Sequence, residues 1–242
     1  MRTLGLLGGM AWPSTLAAYR AINEGVAARL GPPHSARLLV YSVDFAEIEA
    51  AQRAGAWEDA GRVLAHAARS LVAAGAEGLM LCTNTMHRVA ESIESAVDVP
   101  FLHLADVTAA AVTADGSTRV GLLGTQFTME ATFYRERLAA HGLDVQVPDA
   151  QDRARVHRVI YDELIHATVT PAAVETLTAV ADRLVTAGAQ GVIAGCTELE
   201  LALTPDRVAV PLYATTKLQA AAAVAWLLEE HSPEMREVRG EG

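Results

Sequence analysis

The sequence predicts an α/β protein of two pseudo-symmetric, doubly wound lobes, each with a parallel sheet of the four-stranded type, and a candidate site in the cleft between the lobes. Short apolar runs alternate with helical segments along the 242 residues, which is typical of parallel sheets covered by helices on both faces. The order of blocks in the first half recurs in the second half. Each half also carries one cysteine, Cys82 or Cys196, at the end of an apolar run.

Strands and helices alternate through the first half of the chain. Strands are predicted at 3–9, 37–45, 79–81 and 99–104, and helices at 14–30, 57–75, 86–96 and in the alanine-rich stretch after 105. Ser14 or Thr15 is the expected N-cap of the first helix. Asp44 ends the second strand, where it could cap the next segment or contact a substrate. The Gly-Gly turn after the first strand is not GxGxxG, which argues against dinucleotide binding.

The second half repeats the first. RVGLLGT at 119–125 matches TLGLLGG at 3–9, AGAQG at 187–191 matches AGAEG at 74–78, the cysteines follow, and VPLY at 210–213 matches VPFL at 99–102. We interpret the chain as an internal duplication. The first lobe is predicted to comprise 1–105 and 213–242, because the last helix, at 216–230, is expected to pack back on it, and the second lobe 106–212. The charged tail from Ser232 is expected to fray.

Composition excludes several classes of function. A net charge of −10 argues against nucleic acid or an anionic membrane as a partner. No apolar run reaches the roughly 18 residues of a membrane span, and no signal peptide is recognisable, so we expect a cytoplasmic protein with reduced thiols. The two cysteines form no CxxC pair, and we expect no metal site.

The cysteines are the strongest signal. Cys82 lies in GLMLCTNTMH at 78–87 and Cys196 in GVIAGCTELEL at 191–201, each after a buried strand and before a threonine. A single free cysteine on an apolar run is usually a small buried hydrophobe. Two at equivalent strand-to-helix junctions favour thiols that face each other across one pocket, where backbone N–H groups and the helix dipole are expected to lower the thiol pKa and bind a carboxylate.

Two facing thiols suit a reaction that removes a proton from one face of a carbon and delivers one to the other, as in racemisation or epimerisation next to a carboxylate. Neutral donors at the strand ends could hold that carboxylate: the backbone of 8–10 and the side chains of Ser14, Thr15, Thr83, Asn84, Thr85, Thr125, Thr128 and Thr197. The one lysine, Lys217, opens the last helix, so no Schiff base with pyridoxal phosphate is predicted, and we expect no cofactor. Glu198 could orient a substrate ammonium, and Glu200 is as readily explained as a solvent-facing helix residue. His87 could tune Cys82, but it is more readily explained as a solvent-facing helix residue.

The motifs LCTNTMH at 81–87, AGCTELEL at 194–201, LGLLGGMAWPST at 4–15 and SVDFAEIE at 42–49 together resemble the aspartate/glutamate racemase family, and most closely its broad-specificity bacterial amino-acid racemases. The resemblance covers essentially the whole chain. It implies a two-base mechanism without pyridoxal phosphate in which Cys82 and Cys196 are the bases, and a homodimer. Contacts with the substrate carboxylate and ammonium would fall on Met10, Asn84, Thr85, Thr125, Thr197 and Glu198.

The chain departs from the aspartate-specific members of that family. The arginine and the lysine that would bind a side-chain carboxylate are not found in SVDFAEIE or YDELIHA, so only Arg53 or His166 could replace them. The predicted substrate is therefore aspartate, glutamate or a broader range of amino acids. A maleate-type cis-trans isomerase and a non-catalytic binding protein for small carboxylates are the alternatives.

Overall fold

The computed structural model describes residues 1–166 and 168–229. The strands are β1 (Leu4–Gly8), β2 (Leu38–Ser42), β3 (Gly78–Leu81), β4 (Arg119–Leu123), β5 (Asp144–Gln146), β6 (Val192–Ala194) and β7 (Leu212–Ala214). The α-helices are α1 (Trp12–Leu30), α2 (Phe45–Ala54), α3 (Trp57–Ala73), α4 (Ala90–Glu94), α5 (Leu104–Ala114), α6 (Gln126–Glu130), α7 (Thr132–Ala140), α8 (Ala150–Asp162), α9 (Pro171–Thr186) and α10 (Thr215–Leu228). Short 3₁₀ helices lie at Thr85–Val89, Leu164–His166, Thr197–Leu201 and Pro205–Arg207.

The strands form two parallel sheets. The first has the order β2-β1-β3 and the second β5-β4-β6-β7, and all neighbouring strands are parallel. The first three strands of each half occupy equivalent positions, so the sequence repeat is also a structural repeat. The predicted α/β class with two doubly wound lobes is confirmed.

The fourth strand position of the first sheet holds only one bridge, between Leu79 and Phe101. Leu79 donates its N–H to the carbonyl of Pro100 and accepts from the N–H of Leu102, each at 2.8 Å. Pro100 has no N–H to extend the ladder, and His103 is already the N-cap of α5. The first sheet therefore has three strands and a bridge where four strands were predicted.

The second strand also differs from the prediction. β2 ends at Ser42 instead of Asp44, and Asp44 is the N-cap of α2, where its Oδ1 accepts from the N–H of Ala46 at 3.0 Å. The sequence did not indicate α2, because Ile48 is its one buried residue and the helix therefore has little apolar periodicity.

Helices cover both faces of each sheet. In the first lobe, α2 and α3 lie on the face of Leu7, and α1 and α10 lie on the face of Leu4 and Leu6. In the second lobe, α8 and α9 pack on the side of Leu123, and α5 and α7 pack on the side of Leu122. Each sheet is thus buried on both faces, which explains its continuous apolar strands.

The last described helix packs against the beginning of the chain. Val224 and Leu227 of α10 share a core with Leu4 and Ile22, and Gly25 lets α10 approach closely, because a Cβ there would lie 2.7 Å from Val224 Cγ2. β7 pairs with β6 and so crosses the predicted lobe boundary at 212. The lobe limits stay a prediction, and 230–242, with the tail from Ser232, lie outside the described residues.

We find no helix in 1–166 or 168–229 that combines the length and the apolar character required to cross a membrane.

Candidate active site

The carboxyl ends of the central strands of both sheets meet at one cleft. Met10 lies just beyond β1, Cys82 follows β3, Thr125 lies just beyond β4, and Cys196 lies just beyond β6. All four residues line one of two adjoining cavities. The site thus lies where ligands of open parallel sheets ordinarily bind.

The larger cavity has a volume of about 360 Å³, which is within the range of small-molecule sites. Its polar lining consists of Ser14, Thr83, Asn84, Thr85, Thr125, Thr128, Cys196, Thr197 and Glu198. Its apolar lining includes Met10, Ala11, Pro13, Phe45, Ile160, Tyr161 and Ile165. The structure therefore brings most of the sequence-predicted site residues together.

The smaller cavity contains Cys82. Its volume is about 10 Å³, close to the space of one water molecule. It shares four residues with the larger cavity, namely Ser14, Thr83, Asn84 and Thr197. Cys82 and Cys196 therefore lie in neighbouring parts of one cleft, Cys82 in the narrow part and Cys196 in the wide part.

The loop after β1 depends on a glycine and a buried threonine. Gly9 has a φ of +100°, and a Cβ there would clash with the backbone of Val43. Thr15 Oγ1 accepts the N–H of Gly9 at 2.9 Å. The N-cap position of α1 is Ala11, so neither Ser14 nor Thr15 is the predicted cap. Thr15 shapes the loop and does not line either cavity.

Burial sets the pKa of the Cys82 thiol. The residue is 6% exposed, and desolvation raises the pKa of its thiol from 9.0 to about 12. Its N–H donates to the carbonyl of Leu7 at 2.9 Å and so belongs to the sheet. The predicted helix at 86–96 is a five-residue 3₁₀ helix followed by the short α4. The expectation of a lowered thiol pKa is therefore wrong, because burial outweighs so short a helical dipole.

The Cys196 thiol has a carboxylate partner. Burial raises the pKa of Cys196 well above its ordinary value, and the nearby charge of Glu198 raises it further. The Cys196 Sγ–H donates to Glu198 Oε2 at 2.9 Å. Asn84 occupies the position equivalent to Glu198 after Cys82, so the two halves of the site are chemically different.

His87 forms hydrogen bonds that hold the loop after Cys82. It is 2% exposed, so its interpretation as a solvent-facing residue is wrong. Its Nδ1–H donates to the carbonyl of Thr83 at 2.7 Å, and its Nε2 accepts the N–H of Leu104 at 3.2 Å. Burial and the neighbouring His103 lower the pKa of His87 to about 3. This neutral imidazole joins the loop after Cys82 to the start of α5.

We expect the protein to lose stability as the pH falls below 6.5, partly because of His87 and His103. Burial, as the largest cause, lowers the pKa of His87 to about 3 and that of His103 to about 4 from the ordinary 6.5. Between pH 6.5 and about 4 the unfolded chain therefore binds protons that the folded chain excludes. Each histidine should lower the free energy of unfolding by about 1.4 kcal/mol per pH unit in this window.

Urea unfolding of the wild type and His87→Gln at pH 7 and pH 4.5 tests this expectation. Glutamine retains a donor and an acceptor but does not titrate, so the variant should lose less stability between the two pH values than the wild type. Carboxylate protonation contributes equally to both proteins, which makes the difference between them the readout. Equal losses in the two proteins would contradict the assignment of His87 as a buried neutral group.

Hydroxyl groups connect the two lobes at the base of the cleft. The Thr215 hydroxyl lies 3.0 Å from the carbonyl of Ala194 and 3.4 Å from Asn84 Oδ1. Thr197 Oγ1 and Thr216 Oγ1 are 3.4 Å apart. These contacts place the loops after β3 and β6 against the beginning of α10.

Three other sequence-based candidates have local roles outside the cavities. Asp44 caps α2 and lines a separate surface groove. Arg53 forms an ion pair with Glu49 at 2.7 Å, with 74% of its side chain exposed. His166 ends a 3₁₀ helix and does not line the cavity, although the neighbouring Ile165 does. Neither Arg53 nor His166 lies where it was expected to replace the missing cation.

Sequence reasoning missed the apolar wall of the larger cavity. Phe45 follows Asp44 in the quoted SVDFAEIE motif, and Tyr161 and Ile165 lie in the YDELIHA segment. The prediction considered these two segments only for the arginine and the lysine that they lack. The aromatic and aliphatic residues in both segments could have indicated an apolar wall.

Within the described ranges, no group of three or more His, Cys, Asp or Glu side chains is arranged to hold a metal ion.

Comparison with known proteins identifies relatives along nearly the whole chain. Residues 7–223 match the family model described as Asp/Glu/Hydantoin racemase. A solved structure of a provisionally assigned Asp/Glu racemase from Yersinia pestis is 46% identical, with a TM-score of 0.92 over 95% of this chain and 100% of that one. An aspartate racemase homologue from Pyrococcus horikoshii OT3 is 30% identical, with a TM-score of 0.87 over 95% of this chain and 100% of that chain.

A further relative is an uncharacterised protein from Pectobacterium carotovorum, 37% identical over 105 residues, which are 43% of this chain and 69% of that protein. The family model covers more than half of the chain, and the two solved structures share its two-lobed fold. The resemblance noted in the sequence is confirmed, and so is the expected enzyme class, because racemases are isomerases. The chain belongs to the Asp/Glu/hydantoin racemase family.

Proposed function

We propose that the protein is a cofactor-independent amino-acid racemase in which Cys82 and Cys196 are the two bases at the α-carbon. One observation carries the proposal: the two cysteines follow equivalent strands, β3 and β6, and line adjoining cavities of one cleft. A racemase needs a proton acceptor and a proton donor on opposite faces of the substrate, and exchanges their roles for the reverse reaction. A duplicated fold with one thiol from each half supplies both groups.

Neutral donors would hold the α-carboxylate. Ser14, Thr83, Asn84, Thr85, Thr125 and Thr197 line the larger cavity, and their hydroxyl and amide hydrogens can bind the carboxylate as negative charge develops at the α-carbon. Glu198 is the carboxylate of the lining and is the natural partner of the substrate ammonium. This arrangement would direct the α-carbon toward the two thiols.

Proton transfer begins with one thiolate and one thiol. The thiolate removes the α-proton, so that the C–H bond breaks and an S–H bond forms. The opposite thiol then gives its proton to the other face of the carbanion and becomes the thiolate. Burial raises the pKa of both thiols, so one must first lose a proton, and Glu198, 2.9 Å from Cys196 Sγ, is positioned to accept it.

Solvent exchange at the α-carbon tests the proposed function. Single L- and D-amino acids, maleate and a 5-substituted hydantoin are each incubated with the protein in deuterium oxide without added cofactor. Proton NMR follows loss of the α-hydrogen, and circular dichroism follows chirality. We expect both deuterium incorporation and decay of the optical signal for amino acids. Saturable binding without exchange would indicate a binding protein, and conversion of maleate alone would indicate a cis-trans isomerase.

The cytoplasmic location, the homodimer and the lobe limits belong to the same proposal and are supported by the sequence pattern and the family resemblance. Light scattering after gel filtration tests the dimer, for which we expect twice the chain mass of 25.6 kDa. A mass of one chain would contradict it.

A further inference from the structure

One side of the larger cavity is an apolar wall made by both lobes. Phe45 opens α2 in the first lobe, and Ile160, Tyr161 and Ile165 lie at the end of α8 and in the following 3₁₀ helix of the second lobe. Phe45, Tyr161 and Ile165 are 37%, 43% and 48% exposed. Large apolar side chains that remain exposed around a concave cavity are typical of a ligand site, because a ligand can bury them.

The charges around this wall are negative. Glu198 lines the cavity, and the charge of Glu49 contributes to the raised pKa of Tyr161, after burial, Cys196 and Glu198, so Glu49 is close to the same wall. No Arg, Lys or His among the described residues lines the cavity. Arg53, the cation on α2, is paired with Glu49. A ligand group at this wall therefore finds apolar surface and no positive partner.

We infer that the preferred substrates are neutral amino acids with an unbranched or branched apolar side chain of medium length, and that aspartate and glutamate are poor substrates. The inference rests on the proposed racemase function and adds the substrate class. The α-carboxylate of any amino acid can use the neutral donors on the polar side of the cavity. A second carboxylate would lose its water against Phe45, Tyr161 and Ile165 without a cation to compensate.

A cationic side chain is also disfavoured. Glu49 already pairs with Arg53, and a substrate ammonium at the end of a side chain would compete with that guanidinium for the carboxylate. The apolar wall would in addition desolvate the charge. An uncharged side chain therefore gains the most binding free energy from this apolar surface.

Three amino acids of matched length test the inference. Methionine, glutamine and glutamate have side chains of similar size and differ in polarity and charge. We expect kcat/KM for racemisation to fall in that order, with methionine preferred over glutamate by about a hundredfold, the effect of leaving one charged group desolvated and unpaired. Lysine is expected to be slower than methionine. A glutamate or lysine rate equal to or above that of methionine would overturn the inference, whereas exchange with no amino acid would instead overturn the proposed function.

A charge placed in the apolar wall gives a second test. In Ile165→Arg, a guanidinium would face the substrate side chain, and we expect the glutamate-to-methionine ratio of kcat/KM to rise at least tenfold. Val169→Arg is the matched control, because Val169 follows Ile165 by four residues, is 43% exposed and does not line the cavity. It adds the same charge, so its ratio should stay at the wild-type value. Equal ratios in both variants would contradict the position of the side-chain pocket.

Discussion

Replacing either Cys82 or Cys196 with serine is expected to abolish racemisation, with kcat/KM lowered by about 10²- to 10⁴-fold, the range for removal of a general acid–base group. Serine has nearly the same size as cysteine, but its hydroxyl is far less acidic and cannot serve as a thiolate. Loss of one base prevents inversion, whichever enantiomer is supplied. Racemisation of methionine, followed by circular dichroism, measures the effect.

Deuterium exchange then separates the roles of the two thiols. Each variant keeps one thiol, which can still exchange the α-proton of the enantiomer that presents this proton to it, without inversion. The residual exchange of Cys82→Ser and Cys196→Ser is therefore expected in opposite enantiomers. Residual exchange of the same enantiomer in both variants would contradict a two-sided site, and so would full racemisation by either variant.

Stability measurements show whether a loss of activity in these variants reflects misfolding. Cys82 is 6% exposed, and a serine hydroxyl there would be buried. Cys82→Ala avoids that cost and should be equally inactive. Urea unfolding of the serine and alanine variants identifies any loss of folded protein, and activity is compared per folded molecule.

Replacing Glu198 with glutamine is expected to lower kcat/KM by about a hundredfold and, at the same time, to make the Cys196 thiol more reactive toward an alkylating reagent. The two effects have opposite signs because the carboxylate acts in two ways. It accepts the Cys196 proton at 2.9 Å, which assists the reaction, while its charge raises the pKa of Cys196 and so opposes a free thiolate. Glutamine removes the proton acceptor, the charge and the proposed partner of the substrate ammonium, and the last of these losses also lowers kcat/KM.

The two substrate enantiomers provide an internal check on the Glu198→Gln result. The equilibrium constant of a racemase is one, so kcat/KM must fall equally for the L- and D-enantiomers. The primary isotope effect with α-deuterated substrate should nevertheless differ between them, because only proton transfer at Cys196 has lost its neighbouring carboxylate. Equal isotope effects for both enantiomers would contradict an assisting role that is specific to Cys196.

Glu200→Gln is the matched control for this variant. Glu200 lies in the same 3₁₀ helix, but it pairs with Lys217 at 3.1 Å and does not line the larger cavity. Its charge also raises the pKa of Cys196, but less than that of Glu198 does, so we expect racemisation close to wild type and a smaller increase in alkylation than in Glu198→Gln. If this variant loses activity as Glu198→Gln does, the effect reflects the stability of the helix and not proton transfer.

The sequence indicated the duplicated architecture because apolar periodicity is visible in each short segment and the same blocks recur in the same order in both halves. The apolar runs before Cys82 and Cys196 predict buried strands, and parallel strands place their carboxyl ends at one edge. Helix α2 was missed because Ile48 is its one buried residue. The strand at 99–104 was predicted too long, because its apolar residues resemble a strand although only Phe101 forms a bridge to the sheet. Short helices and strands depend on tertiary contacts, which the apolar periodicity of a segment does not reveal.

The charge state of the site could not be predicted in the same way. A cysteine at a strand-to-helix junction suggests a lowered thiol pKa, yet burial raises the pKa of Cys82 to about 12. His87 looked like a surface residue and is the buried link between Thr83 and Leu104. Desolvation depends on every element that surrounds a group, and most of those elements are distant in sequence.

The sequence by itself determined the two-lobed α/β fold, the pair of cysteines and the family to which the chain belongs, because these follow from local patterns and motifs. Only the tertiary structure decided that Asp44 and Thr15 lie outside the cavities, that Glu198 contacts Cys196, and that an apolar wall faces them. Those facts depend on how α2, α8 and the strand ends pack across the cleft. Packing between distant segments sets distances and water access, and these set the chemistry of the site.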